Sequence, residues 1–197
     1  KLNIPFFALN FKDEFDRIID YIAAEYQRGR TPNPCVMCNE HLKFGRLTEY
    51  GQAVDADFIA TGHYARIEQR DGEHRICRGI DPAKDQSYVL FGMGRAQLSR
   101  VLFPIGGMVK DEVRDHARRF GLTIHDKPDS VDICFVPDRD YAKIVKQRKP
   151  EAFEQGAIVD ATGKEVGRHE GVANFTIGQR RGVGVAMGLP IYVTQLD

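Results

Sequence analysis

The chain has 197 residues, of which 42% are hydrophobic and 28% are charged. This is an ordinary globular composition, large enough for one sizeable core or for a medium domain followed by a small one. Lysine plus arginine and aspartate plus glutamate number 28 each, so a polyanionic partner would have to meet a local basic patch. The four cysteines form no dense disulfide framework, and the sequence shows no long apolar run or signal-peptide pattern. We therefore expect a cytoplasmic protein with no membrane partner, whose thiols are reduced or catalytic.

The first part of the sequence alternates between predicted strands and helices. Apolar runs and helical spacing predict four elements in this order: a strand at 4–9, a helix at 15–26, a helix at 42–55 and a strand at 58–61. Gly29 is placed to end the first helix, and Gly62 and His63 follow the second strand. Such an order is typical of a parallel sheet with flanking helices, whose ligands gather at the carboxyl ends of the strands. We expect Gly62 and His63 to lie at such an end.

The middle of the chain contains a predicted hairpin. Residues 66–79 alternate in polarity around Asp71-Gly72, which is typical of a tight turn between antiparallel strands. Further elements are expected in this order: a mainly helical stretch opening at 81–88, a helix at 110–120, and strand-like segments at Ile124 and around Cys134.

The composition changes near Lys149, where a short predicted helix ends. Residues 156–197 are rich in glycine between short β-prone runs, which is typical of a small twisted sheet with tight turns. We therefore predict two domains, an α/β domain at 1–148 and a small β-rich domain at 149–197.

Cys35 and Cys38 form a C-x-x-C pair that emerges from a stiff, proline-containing loop. Such a pair can ligate zinc, cycle as a dithiol, or hold one working thiol beside a bystander. Cys77 is not spaced as half of a second C-x-x-C pair, and no H-x3-5-H pair follows at zinc-finger spacing. Cys134 adds a further thiol far along the sequence. From the residues alone, a zinc- or RNA-binding module, a dithiol oxidoreductase and a thiol enzyme all stay open.

Five segments of the sequence match, in order, the successive motifs of a known family. They are Gly29-Arg30-Thr31-Pro32-Asn33-Pro34-Cys35-Val36-Met37-Cys38-Asn39, Ala60-Thr61-Gly62-His63-Tyr64-Ala65-Arg66, Lys84-Asp85-Gln86-Ser87-Tyr88, Asp132-Ile133-Cys134-Phe135 and Thr176-Ile177-Gly178-Gln179-Arg180-Arg181-Gly182. Five motifs in the right order are a highly specific signal. With them the chain resembles the tRNA-specific 2-thiouridylases, the MnmA/TrmU family, over essentially its whole length.

The resemblance implies an α/β fold with a parallel sheet and flanking helices, of the adenine nucleotide alpha hydrolase-like, PP-loop type. It implies that a small β-rich central domain follows and binds tRNA, and that ATP and Mg²⁺ are the cofactors. Members of that family begin with a Ser-Gly-Gly-Val-Asp-Ser-Ser loop, which cradles ATP phosphates, and end in a C-terminal β-barrel. Neither feature is matched in this sequence. The resemblance therefore implies a truncated PP-loop domain, and we expect the fragment to be inactive alone.

The resemblance further implies a tRNA-uridine 2-sulfurtransferase that thiolates the wobble uridine of tRNA in an ATP-dependent reaction. By motif position, Cys134 is implied to carry a persulfide and Cys38 to be the partner thiol. A transient Cys38–Cys134 disulfide would then release the sulfur. The implied partners are tRNA and a persulfide-donating sulfur-carrier protein. Cys35 stands where other members often have an aspartate, so no carboxylate role is carried over to it.

The same resemblance implies a set of binding residues. Gly62 matches an ATP-binding position, where the missing side chain lets the backbone approach the adenosine. The other residues are implied to bind RNA: Asn33, Pro34 and Cys35 at the flipped-out target base, His63, Lys84, Asp85 and Gln86 at other tRNA positions, and Arg180 and Arg181 as a phosphate clamp. Without the resemblance, the run at Lys84 reads as a solvated surface, and the arginine pair reads equally well as a solubility feature.

Overall fold

The computed structural model describes residues 4–128, 134–136 and 140–197. The chain forms two compact units: the first comprises Lys1–Glu14 and Cys35–Val131, and the second comprises Phe15–Pro34 and Asp132–Asp197. The second unit thus combines an early segment of the sequence with the last third of the chain. The predicted division into 1–148 and 149–197 stays a prediction. Within the described residues, no helix has the length and apolar character needed to cross a membrane.

Helix α1 (Lys12–Gln27) matches the first predicted helix. Asn10 starts it, since its side-chain Oδ1 accepts a hydrogen bond from the backbone N–H of Lys12 at 3.0 Å. Two acidic residues lie in the first turn, where the helix dipole favours negative charge. Gly29 follows the helix in a left-handed conformation, with a φ of 68° that glycine adopts without strain. The prediction for this helix, including its end, is confirmed.

A continuous helical segment runs from Pro34 to Ala53. Helix α2 (Pro34–Met37) leads into a π-helix (Cys38–Arg46), which leads into helix α3 (Leu47–Ala53). Met37 and Leu47, at the two junctions of the π-helix, keep right-handed helical backbone angles. Pro34 suits the first helical position because its missing N–H would have no helical partner there. The predicted helix at 42–55 is confirmed, whereas its earlier start and its π-helix were not predicted.

The described part of the first unit contains a parallel pair and a hairpin. Its strands are β1 (Ile59–Ala60), β2 (Ala65–Arg70), β3 (Glu73–Arg78) and, after helix α4 (Arg95–Leu98), β4 (Val101–Leu102). Strands β1 and β4 are parallel, and β2 and β3 are antiparallel. Asp71 and Gly72 connect the hairpin with positive φ values of 52° and 78°, as a type I′ turn requires. Helix α5 (Lys110–Arg119) follows β4. The predicted parallel sheet with helices, the hairpin and the helix at 110–120 are confirmed.

The core of the first unit joins the π-helix to the hairpin and to the residues around β4. Its buried side chains are Phe44, Ala65, Val89, Leu90, Met93, Leu98 and Val101. Full burial of a large apolar side chain stabilises a fold by about 1.5–3 kcal/mol. Phe44 and Leu90 are both fully buried. This cluster therefore holds the π-helix firmly against the hairpin.

Two strand predictions are wrong. Residues 4–9 form no strand in the described part of the chain, and their aromatic side chains are largely exposed. Apolar, β-prone residues form a strand only when a neighbouring edge takes up their backbone hydrogen bonds, and no described strand pairs with them. The prediction at Ile124 fails because Thr123–Asp126 is a 3-10 helix. Around Cys134, residues 134–136 are not a strand, and the rest of that predicted segment lies outside the described residues.

In the second unit, helix α6 (Tyr141–Arg148) starts at a polar cap. The side chain of Asp140 accepts a hydrogen bond from the backbone N–H of Lys143 at 3.2 Å. A 3-10 helix (Pro150–Phe153) follows. The small core of this unit consists of Val145, Ala152 and Ala173, with Tyr26 and Phe153 packed against it. Arg148, at the end of α6, forms ion pairs with Asp16 and Asp20 of α1.

Strands β5 (Gly156–Val159) and β6 (Glu165–His169) form an antiparallel hairpin. Asp160 shapes its turn, since the carboxylate accepts hydrogen bonds from the N–H groups of Thr162 at 2.8 Å and Lys164 at 3.1 Å. The hydroxyl of Thr162 also donates a hydrogen bond to this carboxylate, and it has the largest effect on the pKa. Together these hydrogen bonds hold the pKa of Asp160 below its usual value. The predicted small β-rich part is confirmed in this hairpin. A 3-10 helix (Val172–Asn174) follows it.

Candidate functional site

The π-helix brings residues five apart close to each other. Its backbone hydrogen bonds join residues five apart, so residue i+5 lies about one turn along from residue i and on nearly the same face. Asn39 and Phe44 are both buried, at 2% and 0% exposure. Cys38 and Lys43, one residue earlier in each case, are both half-buried. The predicted partner thiol and Lys43 therefore lie along the same edge of the buried face.

His63 lies just after β1 and is buried, at 6% exposure. Its ring packs against the rings of Phe103 and Phe44, with centroids 5.7 Å and 6.0 Å away. Its Nδ1 lies 2.7 Å from Oγ1 of Thr61, and its Nε2 lies 3.4 Å from Nζ of Lys43. An ammonium group can only donate, so Nε2 accepts from Lys43, and Nδ1–H donates to the hydroxyl of Thr61.

These surroundings keep His63 neutral. Burial, followed by the positive charge of Lys43, lowers the pKa of His63 to about 4. At neutral pH the ring is therefore an uncharged acceptor for the ammonium of Lys43. Both ring nitrogens of His63 are engaged within the protein, and its predicted tRNA contact stays a prediction.

Gly62 is exposed between β1 and His63. Among the described residues, a Cβ added there would meet the Cδ1 of Ile105 at an ordinary 3.9 Å, and the backbone is not left-handed. The fold therefore has no need of glycine at this position. At Gly106, by contrast, a Cβ would overlap the carbonyl oxygen of Ala65. The open space at Gly62 fits the predicted adenosine contact, in which bare backbone approaches the ligand.

The predicted tRNA-contacting run Lys84-Asp85-Gln86 lies in a loop beside the end of β1. The backbone N–H of Gln86 donates to the carbonyl oxygen of Tyr64 at 2.9 Å. In return, the side-chain Oε1 of Gln86 accepts from the N–H of Tyr64 at 3.1 Å. Because Tyr64 directly follows His63, this pairing brings two of the predicted RNA-contacting segments together.

The side chain of Asp85 stabilises this loop through hydrogen bonds. Its carboxylate accepts hydrogen bonds from the N–H of Gly79 at 3.0 Å, the N–H of Ser87 at 3.2 Å and the hydroxyl of Ser87 at 2.9 Å. Burial acts to raise the pKa of Asp85, but these hydrogen bonds outweigh it and hold the pKa below its usual value. The stretch that was predicted to be mainly helical is a loop followed by a 3-10 helix (Ser87–Val89).

The four cysteines carry thiols and form no disulfide. Cys35 is exposed in α2, and Cys38 is half-buried at the start of the π-helix. Cys134 is exposed and belongs to the second unit. Cys77 is half-buried in β3, where its Sγ lies 3.9 Å from the carbonyl oxygen of Arg75. The transient Cys38–Cys134 disulfide stays a prediction.

The residues before Cys35 differ in exposure. Asn33 is exposed, whereas Pro34 is buried at the first position of α2. Their predicted contact with the target base stays a prediction.

In the described ranges, no group of three or more His, Cys, Asp or Glu side chains is placed to hold a metal ion.

Arg180 and Arg181 are exposed on a turn in the second unit. Gln179 builds this turn: its Oε1 accepts from the N–H of Thr176 at 3.0 Å, and its Nε2 donates to the carbonyl oxygen of Arg181 at 2.9 Å. Gly178 contributes a left-handed backbone with a φ of 84°. The backbone under the two arginines is therefore fixed while their side chains stay exposed.

Two residues of the first unit were not predicted to be functional. One is Lys43, and the other is Asn39, whose Nδ2 donates to the carbonyl oxygen of Val89 at 3.0 Å. The buried Oδ1 of Asn39 has no hydrogen-bond partner among the described residues. The signal that could have indicated both is the five-residue spacing of Asn39 and Phe44, which suits a π-helix and not an α-helix.

Comparison with known proteins identifies the family. The model described as "tRNA methyl transferase HUP domain" matches residues 1–138, and the model "tRNA methyl transferase PRC-barrel domain" matches residues 142–197. Proteins named tRNA-specific 2-thiouridylase MnmA match the whole chain, with 45% identity in Clostridium perfringens, 49% in Heliobacterium modesticaldum and 50% in Geobacter metallireducens. The chain spans about half the length of these relatives, between 52% and 55%. The chain therefore belongs to the tRNA-specific 2-thiouridylase family, and it carries a PP-loop type HUP domain followed by a PRC-barrel domain.

Proposed function

We propose that the complete protein is a tRNA-uridine 2-sulfurtransferase, which thiolates the wobble uridine of tRNA with ATP and a cysteine persulfide. The observation that carries the proposal is the 45–50% identity, over all of this chain, to proteins named tRNA-specific 2-thiouridylases. Cys38 and Cys134, both present as thiols, provide the two sulfur groups that this chemistry needs.

ATP, when bound, adenylates the C2 oxygen of the uridine and so turns it into a leaving group, with Mg²⁺ as the expected counter-ion. Ligands of parallel α/β sheets bind at the carboxyl ends of the strands, and Gly62 follows such an end at β1. Its exposed backbone has room for a ligand. We infer that Gly62 lines the adenosine side of the ATP site.

The two cysteines divide the sulfur transfer between them. The terminal sulfur of the Cys134 persulfide attacks C2 of the uridine, and the activated oxygen departs as part of AMP. The thiolate of Cys38 then attacks the Cys134 sulfur. The persulfide S–S bond breaks, a Cys38–Cys134 disulfide forms, and one sulfur stays on C2. An external thiol reductant restores the two thiols, and a sulfur-carrier protein reloads Cys134.

RNA-contacting residues are inferred in each unit separately. In the first unit, Lys84 supplies the cation for a phosphate contact, while Asp85 and Gln86 hold its loop in place. In the second unit, Arg180 and Arg181 supply two exposed cations on an ordered turn. Phosphate contacts of this kind position a nucleic acid without reading its sequence. The target base, flipped out of its stack, would face the segment 33–35.

The experiment that tests this function is thiolation of unmodified tRNA by the complete protein, with ATP, Mg²⁺ and a persulfide donor. The tRNA is digested, and its nucleosides are identified by mass spectrometry. We expect 2-thiouridine, and we expect it to disappear when either ATP or the donor is omitted. A methylated nucleoside in its place would contradict the proposal. So would stoichiometric zinc that is lost in a Cys38→Ser variant, because the Cys35–Cys38 pair would then be a metal-binding module.

The Gly62→Ala substitution is expected to weaken ATP binding about tenfold, because the new methyl group enters the space that the adenosine would occupy. The fold itself has room for this methyl group. Stability should therefore stay unchanged or rise by about 0.4–1 kcal/mol, through the less flexible unfolded chain. Isothermal titration with ATP and urea unfolding of the complete protein measure the two effects.

Gly107→Ala is the matched control. Gly107 has ordinary backbone angles, and no described atom lies within 4 Å of an added Cβ. We expect this variant to bind ATP as the wild type does. Equal ATP affinity in Gly62→Ala and Gly107→Ala would show that Gly62 does not line the nucleotide site.

A further inference from the structure

Lys43 is a cation held by an uncharged partner. Its Nζ lies 3.4 Å from Nε2 of His63, whose ring is fixed by Thr61 and by two phenylalanine rings. Because the pKa of His63 is lowered to about 4, this ring is neutral at physiological pH. A neutral acceptor orients an ammonium group without cancelling its charge, whereas a carboxylate would cancel it. The positive charge of Lys43 is thus fixed in place and still able to act on another group.

The π-helix puts Cys38 where that charge can act. In an α-helix, a residue five positions along would lie about 140° around the axis. In a π-helix it lies one turn along on the same face. The burial of Asn39 and Phe44 together, with Cys38 and Lys43 both half-buried beside them, follows the π-helical pattern. Cys38 and Lys43 therefore occupy neighbouring turns on one side of the helix.

The other charged residues of the π-helix are engaged elsewhere. Arg46 is exposed and forms ion pairs with Glu14 and Glu49. Glu40 is exposed, and its carboxylate lies against Gly92. Among the charged residues of this helix, Lys43 is the one that shares the edge of Cys38.

We propose that Lys43, oriented by His63, stabilises the thiolate form of Cys38 and so acts as a positioning residue for the step that releases the sulfur. The inference rests on the proposed function, in which Cys38 attacks the Cys134 sulfur. A cation beside a cysteine favours its thiolate, and the thiolate is the nucleophile in thiol–disulfide exchange. Lys43 makes and breaks no bond itself. Its charge raises the fraction of Cys38 that is ready to attack.

The test measures the reactivity of Cys38 in the complete protein without tRNA, ATP or sulfur donor. Iodoacetamide alkylation of Cys38 is followed by peptide mass spectrometry across a series of pH values, for wild type, Lys43→Gln and Lys43→Arg. In Lys43→Gln we expect the alkylation midpoint to rise by about one pH unit, with about tenfold slower alkylation below the midpoint. Lys43→Arg, which keeps the charge, should restore a midpoint close to that of the wild type.

Arg46→Gln is the matched control, since it removes one positive charge from the same helix at an exposed position. It should leave the midpoint of Cys38 unchanged. Alkylation of Cys77 in the same samples reports whether each variant is folded. An unchanged Cys38 midpoint in folded Lys43→Gln would overturn the inference. Because no substrate is present, that result would leave the proposed thiolation activity to be decided by its own assay.

Discussion

Replacement of either Cys38 or Cys134 by serine is expected to reduce 2-thiouridine formation by the complete protein below detection. A hydroxyl at position 134 cannot carry a persulfide, and a hydroxyl at position 38 cannot close a disulfide on the Cys134 sulfur. The two losses should nevertheless differ in kind. Cys134→Ser should accept no sulfur from the donor, whereas Cys38→Ser should load its Cys134 with sulfur and fail to release it. Nucleoside analysis and peptide mass spectrometry after donor treatment distinguish these outcomes.

Cys77→Ser is the control for both variants, because Cys77 lies in β3 with its Sγ near the carbonyl oxygen of Arg75. It should thiolate tRNA at the wild-type rate. Trapping under non-reducing conditions during turnover should give a peptide that links Cys38 to Cys134. A dominant Cys35–Cys38 link would instead favour a dithiol oxidoreductase, and unchanged thiolation in Cys134→Ser would overturn the assignment of the persulfide to Cys134.

Acid should destabilise the protein through His63 by about 3 kcal/mol between pH 6.5 and pH 4. In the folded protein, burial and Lys43 lower the pKa of His63 from 6.5 to about 4. Between these values the unfolded chain binds a proton that the folded chain does not, so the free energy of unfolding decreases as the pH decreases. The stability associated with the neutral ring is fully present above pH 6.5. Urea unfolding at a series of pH values measures this loss.

The His63→Gln variant isolates this contribution from the carboxylates that titrate in the same range. Its amide cannot be protonated in this pH range, so its stability should fall less steeply than that of the wild type between pH 6.5 and pH 4. His41→Gln is the control, since His41 is exposed on the π-helix. It should keep the wild-type pH dependence. Parallel curves for wild type and His63→Gln would show that the ring is not buried as a neutral acceptor.

Local patterns in the sequence predicted the elements whose formation depends on nearby residues. Helix α1 has its own cap and its own glycine stop, and the β2–β3 hairpin has its own Asp71-Gly72 turn. The parallel pairing of β1 was predicted from the order of the elements. The strand at 4–9 failed because apolar character indicates a β-prone segment but does not supply a partner edge. The wrong strand at Ile124 has the same cause.

The sequence indicated which residue types the candidate site contains, but it did not indicate the surroundings of those residues. Asp85 and Gln86 are polar side chains of the kind that contact RNA, yet each hydrogen-bonds to the protein backbone. His63 is engaged at both ring nitrogens. Tertiary packing decides whether a polar side chain is exposed to solvent or hydrogen-bonds to the protein backbone. A sequence motif does not contain this information. Lys43 was not predicted for a different reason. In an α-helix, a residue five positions after Cys38 would lie on a different face of the helix.

The π-helix makes the length of its segment as important as its residues. Deleting one residue between Cys38 and Lys43 would leave them four residues apart, and an ordinary α-helix places such residues on the same face, about 40° apart around its axis. An α-helix that kept all nine residues of the segment would instead place Cys38 and Lys43 about 140° apart. A homologue that is aligned to this chain with a one-residue gap here can therefore keep the two side chains on one face in an α-helix, whereas the full-length segment depends on its π-helix to do so.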